Sequence, residues 1–180
     1  MLKMRLPIFL IALSLCMTAC REQSVSPTTT STDPNSMAIY ALKSFTTVAA
    51  NGFKIDETTA VLEEQPLVAY KDIVSYSATG HIITLTEDGK KAIQNLEQSG
   101  IRKAFAIKAN NVVVYTGYFW SSIMSSNCDW TVMDIIDLPS QKTLKVQLGY
   151  PSDLFRGTVP DRRSDNRIFD VLRADNKLLP

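Results

Sequence analysis

The apolar positions of this chain change period several times after residue 37, and each change marks a candidate element. An apolar run covers residues 38–42, and a strand-like stretch over 48–55 carries Asn51-Gly52, a dipeptide suited to a two-residue hairpin turn. Residues 73–78 and 81–85 are two more strand candidates, joined across Thr79-Gly80. The period then lengthens. Thr86 is placed to cap a helix, Glu87 and Asp88 suit the positive end of its dipole, Ala92, Ile93 and Leu96 form one stripe, and Gly100 supplies the stop. Segments 104–108 and 112–116 flank Asn110-Asn111, segments 130–138 and 143–148 are again strand-like, and a last helix starts at Ser164 with Ile168, Phe169 and Leu172 facing inward. Strands outnumber helices and short turns join most of them. The pattern predicts an α+β domain over residues 37–180: a mostly antiparallel sheet with about two helices packed on one face.

Upstream of this domain the pattern has a different character. Lys3 and Arg5 precede an apolar run over residues 6–15 and then compact residues up to Cys20, the order of a secretory signal. The run is shorter than the roughly 20 apolar residues that span a bilayer. Residues 21–36, REQSVSPTTTSTDPNS, hold Val25 as their one aliphatic and cannot bury a core, so they predict a flexible tether. Such a tether has an end-to-end distance of roughly 20 Å and reaches roughly 55 Å when straight.

Met17-Thr18-Ala19-Cys20 resembles the lipobox of bacterial lipoproteins. That resemblance implies cleavage after residue 19, acylation of Cys20, and a protein held outside the cytoplasm by a membrane anchor that does not span. Two or three acyl chains suffice for stable anchoring where one does not. Arg21, rather than Asp, follows the cysteine, which implies the periplasmic face of the outer membrane if the host is Gram-negative. The mature chain would have 161 residues with 17 basic and 18 acidic groups, a net charge of −1. With Cys16 removed and Cys20 acylated, Cys128 has no intrachain disulfide partner.

A second resemblance lies inside the domain. The stretch from Ile82 through the Leu85-Thr86 cap and its helix, followed by Ala104-Phe105-Ala106-Ile107 and Val112-Val113-Val114, resembles the periplasmic head subdomain of the preprotein translocase subunit SecD. A wider set, including Glu64-Gln65-Pro66-Leu67, His81, Phe119-Trp120 and Gly149-Tyr150-Pro151, is similar to bacterial lipoproteins with such a domain. After Val114 the sequence departs from the SecD pattern, so the resemblance implies a fold and an inclination to contact polypeptide, not translocase activity.

Charge and chemistry narrow the function further. The whole chain has 19 basic and 18 acidic residues and predicts no nucleic-acid partner. Between residues 152 and 180 six basic residues alternate with five acidic ones, the pattern of a salt-bridge-laced face. The acidic residues Asp129, Asp134 and Asp137 lack calcium-loop spacing, and no Cys/His cluster predicts a metal or other cofactor. His81, the single histidine, pairs on paper only with Cys128 as base and nucleophile, leaving an envelope hydrolase as one alternative.

The most distinctive segment is Tyr115–Trp120, where four of the chain's fifteen aromatic residues fall within six positions, ahead of Ser121, Ser122, Ser125 and Ser126. Period-two alternation sends Tyr115, Gly117 and Phe119 one way, and Tyr118 and Trp120 the other. Either all four aromatics pack the core, or Tyr118 and Trp120 form an exposed rim beside a binding surface at Ser121, Ser122 and Ser125. The preferred function is a non-enzymatic, lipid-anchored binding or accessory domain with a protein or peptide partner. Small-molecule binding beneath the Ser-rich loop, or a spacer role, are the alternatives.

Overall fold

The computed structural model describes residues 36–49, 52–97, 103–121, 123 and 125–180. The signal segment, Cys20, the tether up to residue 35, Asn51, Gly100 and Ser122 lie outside the described residues.

The elements form where the local signals ask for them. Asn110 and Asn111 adopt φ of 50° and 63°, the paired left-handed conformation of a type I′ turn, which joins β5 (Ala104–Ala109) to β6 (Val112–Trp120). Thr86 Oγ1 accepts from Gly89 N at 3.2 Å and so caps α1 (Glu87–Glu97). The stretch 48–55 is an exception: it is no strand among its described residues, and the chain reverses there between the isolated bridge partners Thr47 and Ile55, with Val48 N donating to Lys54 O. The final helix, α3 (Asn166–Ala174), begins slightly later than the sequence suggests. Asp165 is its cap, because that carboxylate accepts from Arg167 N and holds the Arg167 guanidinium as well.

The remaining strands are β1 (Met37–Ser44), β2 (Val61–Leu62), β3 (Ile73–Ser77), β4 (Ile82–Leu85), β7 (Val132–Asp134), β8 (Thr143–Gln147) and β9 (Leu178–Leu179). They make one sheet in the order β2-β1-β5-β6-β7-β8-β4-β3-β9. All pairings are antiparallel except β6–β7 and β3–β9, so a mixed α+β architecture with a large, mostly antiparallel sheet is present. The stretch 130–138 is not one strand. Asp134 Oδ1 accepts from Ile136 N and turns the chain, and Pro139 opens the short helix α2 (Leu138–Gln141).

Each face of the sheet carries its own apolar core. On one face Ile93 of α1 and Ile168, Val171 and Leu172 of α3 pack with Phe105, Ile107, Tyr115, Phe119, Met133 and Leu144. On the other, Tyr118, Trp120 and Val132 pack with loop residues Ile55, Trp130, Leu148 and Val159. The sheet is larger than α1 and α3 can cover, and loops close its second face. A bulge adjusts the alternation: Ile107 faces Tyr115 while Lys108 faces Val113, so Val114 is the extra residue and shares the first core with Tyr115.

Strand β7 begins at the level of Tyr118, which leaves the earlier part of β6 without a strand on that side among the described residues. Side chains fill the gap. Glu57 Oε1 accepts from Thr116 N at 3.1 Å and from Thr116 Oγ1 at 3.2 Å. Arg162 Nη1 donates both to Glu57 Oε2 at 2.8 Å and to Val114 O at 3.0 Å, and Trp130 Nε1 donates to Thr116 Oγ1 at 3.2 Å. The fully buried Thr116 is thereby satisfied at backbone N–H and hydroxyl on the side where β7 does not reach.

Candidate functional site

The structure corrects the exposed aromatic rim: Tyr118 is 4% and Trp120 0% exposed. Alternation along β6 places both on the second face, but that face is covered by loops. Their rings support a further layer. Phe53 stands edge-on to Trp120 with ring centres 5.4 Å apart and edge-on to Tyr118 at 5.7 Å, and Tyr150 leans on Trp120 at 5.9 Å.

That outer layer lines two adjacent cavities. One, of about 500 Å³, lies among Ser125, Ser126, Asn127, Tyr150, Pro151 and Phe155. The other, of about 200 Å³, is bounded by Phe53, Cys128 and Asp129 and shares Asn127 and Phe155 with the first. Sharing Asn127 and Phe155, the two adjoin as one groove. Asp129, itself exposed, lines the smaller cavity, and its Oδ1 accepts from Phe53 N at 2.9 Å. The same loops carry the most exposed apolar side chains described, Leu154 at 93% and Ile123 at 84%, with Phe155 at 41%. Isolated exposed apolar residues are ordinary, but Leu154 and Ile123 each lie within two positions of a residue that lines the groove, Phe155 or Ser125, and large exposed apolar side chains there are a mark of an interaction site.

Of the residues singled out from sequence, Ser125 is exposed in the wall of the groove. Ser121 is half-buried, its hydroxyl accepting from Ile123 N at 3.4 Å, and Ser122 lies outside the described residues. Phe53, Asn127, Tyr150 and Phe155 were not anticipated as site residues. Their one sequence signal is Leu154-Phe155, two large apolar residues set in the turn-rich context Pro151-Ser152-Asp153 and Arg156-Gly157.

Cys128 and His81 do not meet. Cys128 is buried in the second core, its thiol directed to Trp130 O at 3.7 Å. His81 sits at the end of the β3–β4 turn with φ of 51°, and its Nδ1 lies 3.1 Å from the hydroxyl of Tyr76, a residue of the first core. Tyr76 Oη donates to Arg163 O at 3.0 Å. A tyrosine hydroxyl has one proton and a carbonyl can only accept, so His81 Nδ1 carries the hydrogen and donates to Tyr76. Among the described residues no cluster of three or more His, Cys, Asp or Glu side chains has the arrangement of a metal site.

His81 also borders a polar cavity of about 460 Å³ with Lys145, Gln147, Ser152, Asp153 and Arg163. Arg163 is held by Asp161 through Nε at 3.0 Å and Nη2 at 2.8 Å, and this guanidinium draws the Asp161 carboxyl down to about 2. Burial, then the Arg163 charge, lower the His81 pKa, against the opposing pull of Asp161 and Asp153. Folding therefore favours the neutral ring. Its contribution to stability is complete above the unfolded value of 6.5 and is lost as pH falls through the lower folded value. The urea midpoint should drop as pH falls below about 6.5. His81→Asn keeps a side chain tolerant of left-handed backbone and should flatten that part of the profile; an unchanged slope would exclude His81 as its source.

Compared with known proteins, the chain matches no family model, no curated protein and no solved structure.

Proposed function

We propose that this chain is a lipid-anchored extracytoplasmic lipoprotein of the bacterial cell envelope, and that its domain is a non-enzymatic binding or accessory module for a protein or peptide. The observation that carries the binding part is the aromatic groove, whose lining residues Phe155 and Ser125 have the exposed Leu154 and Ile123 close by in the chain. Aromatic walls supply contact area at low entropic cost, and the Ser125 hydroxyl and Asn127 amide offer donors and acceptors to a peptide backbone. The anchoring part rests on the lipobox resemblance at Cys20 and on the polar tether that follows it. Among the described residues no helix is long and apolar enough to cross a membrane. The SecD-like order of strand, capped helix and hairpin adds weight to polypeptide as the partner. In a Gram-negative host the place of action would be the periplasmic face of the outer membrane.

A second reading is a small ligand held in the groove, favoured by a cavity within the roughly 300–1,000 Å³ of small-molecule sites. Photo-crosslinking from position 125 in the native envelope, with and without Cys20→Ala, tests the whole proposal. The expected result is one recurrent protein captured from position 125, not from the exposed Val74, in the membrane fraction, with Cys20→Ala releasing the domain or stalling its processing. A fully processed, membrane-bound Cys20→Ala variant would refute the anchor. Failure to capture protein from a folded, anchored chain would refute the protein partner in favour of a small ligand or a spacer.

A further inference from the structure

The smaller cavity of the groove has a chemistry that restricts what enters it. Its volume, about 200 Å³, suits one side chain rather than a folded element. Phe53 and Phe155 line it, and among the described residues Asp129 is the one charged group lining either cavity. Asp129 is exposed, and one of its oxygens is committed to Phe53 N. The other, Oδ2, borders Gly52, at 3.7 Å from where a Cβ on that glycine would stand. No ion pair to Asp129 forms among the described residues: the nearby Lys54 directs its ammonium to Thr158 Oγ1 at 3.4 Å. The site therefore offers aromatic walls beside a carboxylate that has no ion-pair partner among the described residues.

That combination suits a long basic side chain, whose aliphatic stem lies along aromatic rings while its cationic head gains both the ring faces and the carboxylate. A neutral apolar side chain would use the walls but leave Asp129 as it is, and an acidic one would be repelled. We infer that the partner presents an arginine or lysine flanked by apolar residues. The basic side chain enters the smaller cavity toward Asp129, and the neighbouring backbone lies in the larger one against Ser125 and Asn127. This rests on the reading of the groove as a peptide site and adds the chemical class of the peptide.

The test uses the full chain in detergent micelles and an array of blocked peptides randomised at every position but one. Arginine and lysine should be enriched about fivefold over glutamine and methionine at one position, the scale expected of an exposed charge pair combined with a cation–π contact. Asp129→Asn keeps the oxygen that accepts from Phe53 N and should erase the preference while apolar selection persists. Replacing arginine by neutral citrulline in the selected peptide should lose the same factor and needs no change to the protein. Retention of apolar peptides with no basic preference, or a preference that survives Asp129→Asn, would overturn the basic class and leave the groove standing. Retention of no peptide would overturn both.

Discussion

Trp120→Ala should destabilise the protein by about 3–5 kcal/mol, the range for removing a large aromatic from a closed core. Trp120 has no exposed surface and carries Phe53 and Tyr150 on its ring, so truncation opens a void and removes the footing of two groove residues together. Against the roughly 5–15 kcal/mol by which ordinary domains are stable, that is a large share. Urea unfolding should show the loss as a lower midpoint with an unchanged slope. Phe155→Ala, which truncates a side chain already 41% exposed, should cost under about 1 kcal/mol while still removing a side chain that lines both cavities. A Trp120→Ala midpoint within error of the parent would mean that the second core is not closed. The contrast also separates stability from binding, because loss of capture in Trp120→Ala alone would report a collapsed floor, whereas loss in Phe155→Ala reports the groove.

How far this was legible in the sequence depends on the reach of each signal. The Asn110-Asn111 turn and the Thr86 cap were readable because a few adjacent residues decide them, and both formed as expected. The alternation along Tyr115–Trp120 also came through: it separates Tyr115 and Phe119 from Tyr118 and Trp120. Alternation states which face a side chain takes, not whether something covers that face. The cover comes from Phe53, Tyr150 and Val159, brought over the sheet by loops that carry no periodic signal. Of the two readings of the aromatic segment, burial fits the packed one and not the exposed rim, and Ser125 of the named binding residues lies in the groove wall.

Longer-range pairings left no local trace. Glu57, Thr116 and Arg162 come together to complete the open side of β6, yet nothing near any of them in the chain specifies the others. The mixed charges near the C-terminus were readable as a salt-bridge-laced face, and Arg163–Asp161, Arg167–Asp165 and Arg173–Asp170 pair there. Arg162 departs from that local scheme and reaches across the fold to Glu57. Local charge spacing describes neighbours within a turn or two, and a residue recruited to an unpaired strand edge escapes it.

The second large effect falls on Gly117. The residue needs no unusual backbone angle; it needs the absence of a side chain. A Cβ placed there would stand 2.5 Å from Thr131 O and 2.6 Å and 2.8 Å from two atoms of the Phe105 ring. Thr131 O accepts from Tyr118 N at 3.0 Å, the bond that begins the pairing of β6 with β7. Gly117→Ala must therefore push the β7 backbone away, displace Phe105 within the first core, or both. The loss should be about 3 kcal/mol, at the upper end of ordinary overpacking, and should lower Tm by roughly 10 °C for a domain of this size. Phe105→Leu in the same chain would relieve the ring contact but not the carbonyl contact. The double variant should therefore recover less than half of the Gly117→Ala loss, measured relative to Phe105→Leu alone. Full recovery would place the whole conflict at the ring and show that β7 can yield, and a Gly117→Ala protein as stable as its parent would show that β6 and β7 do not pack this closely in solution.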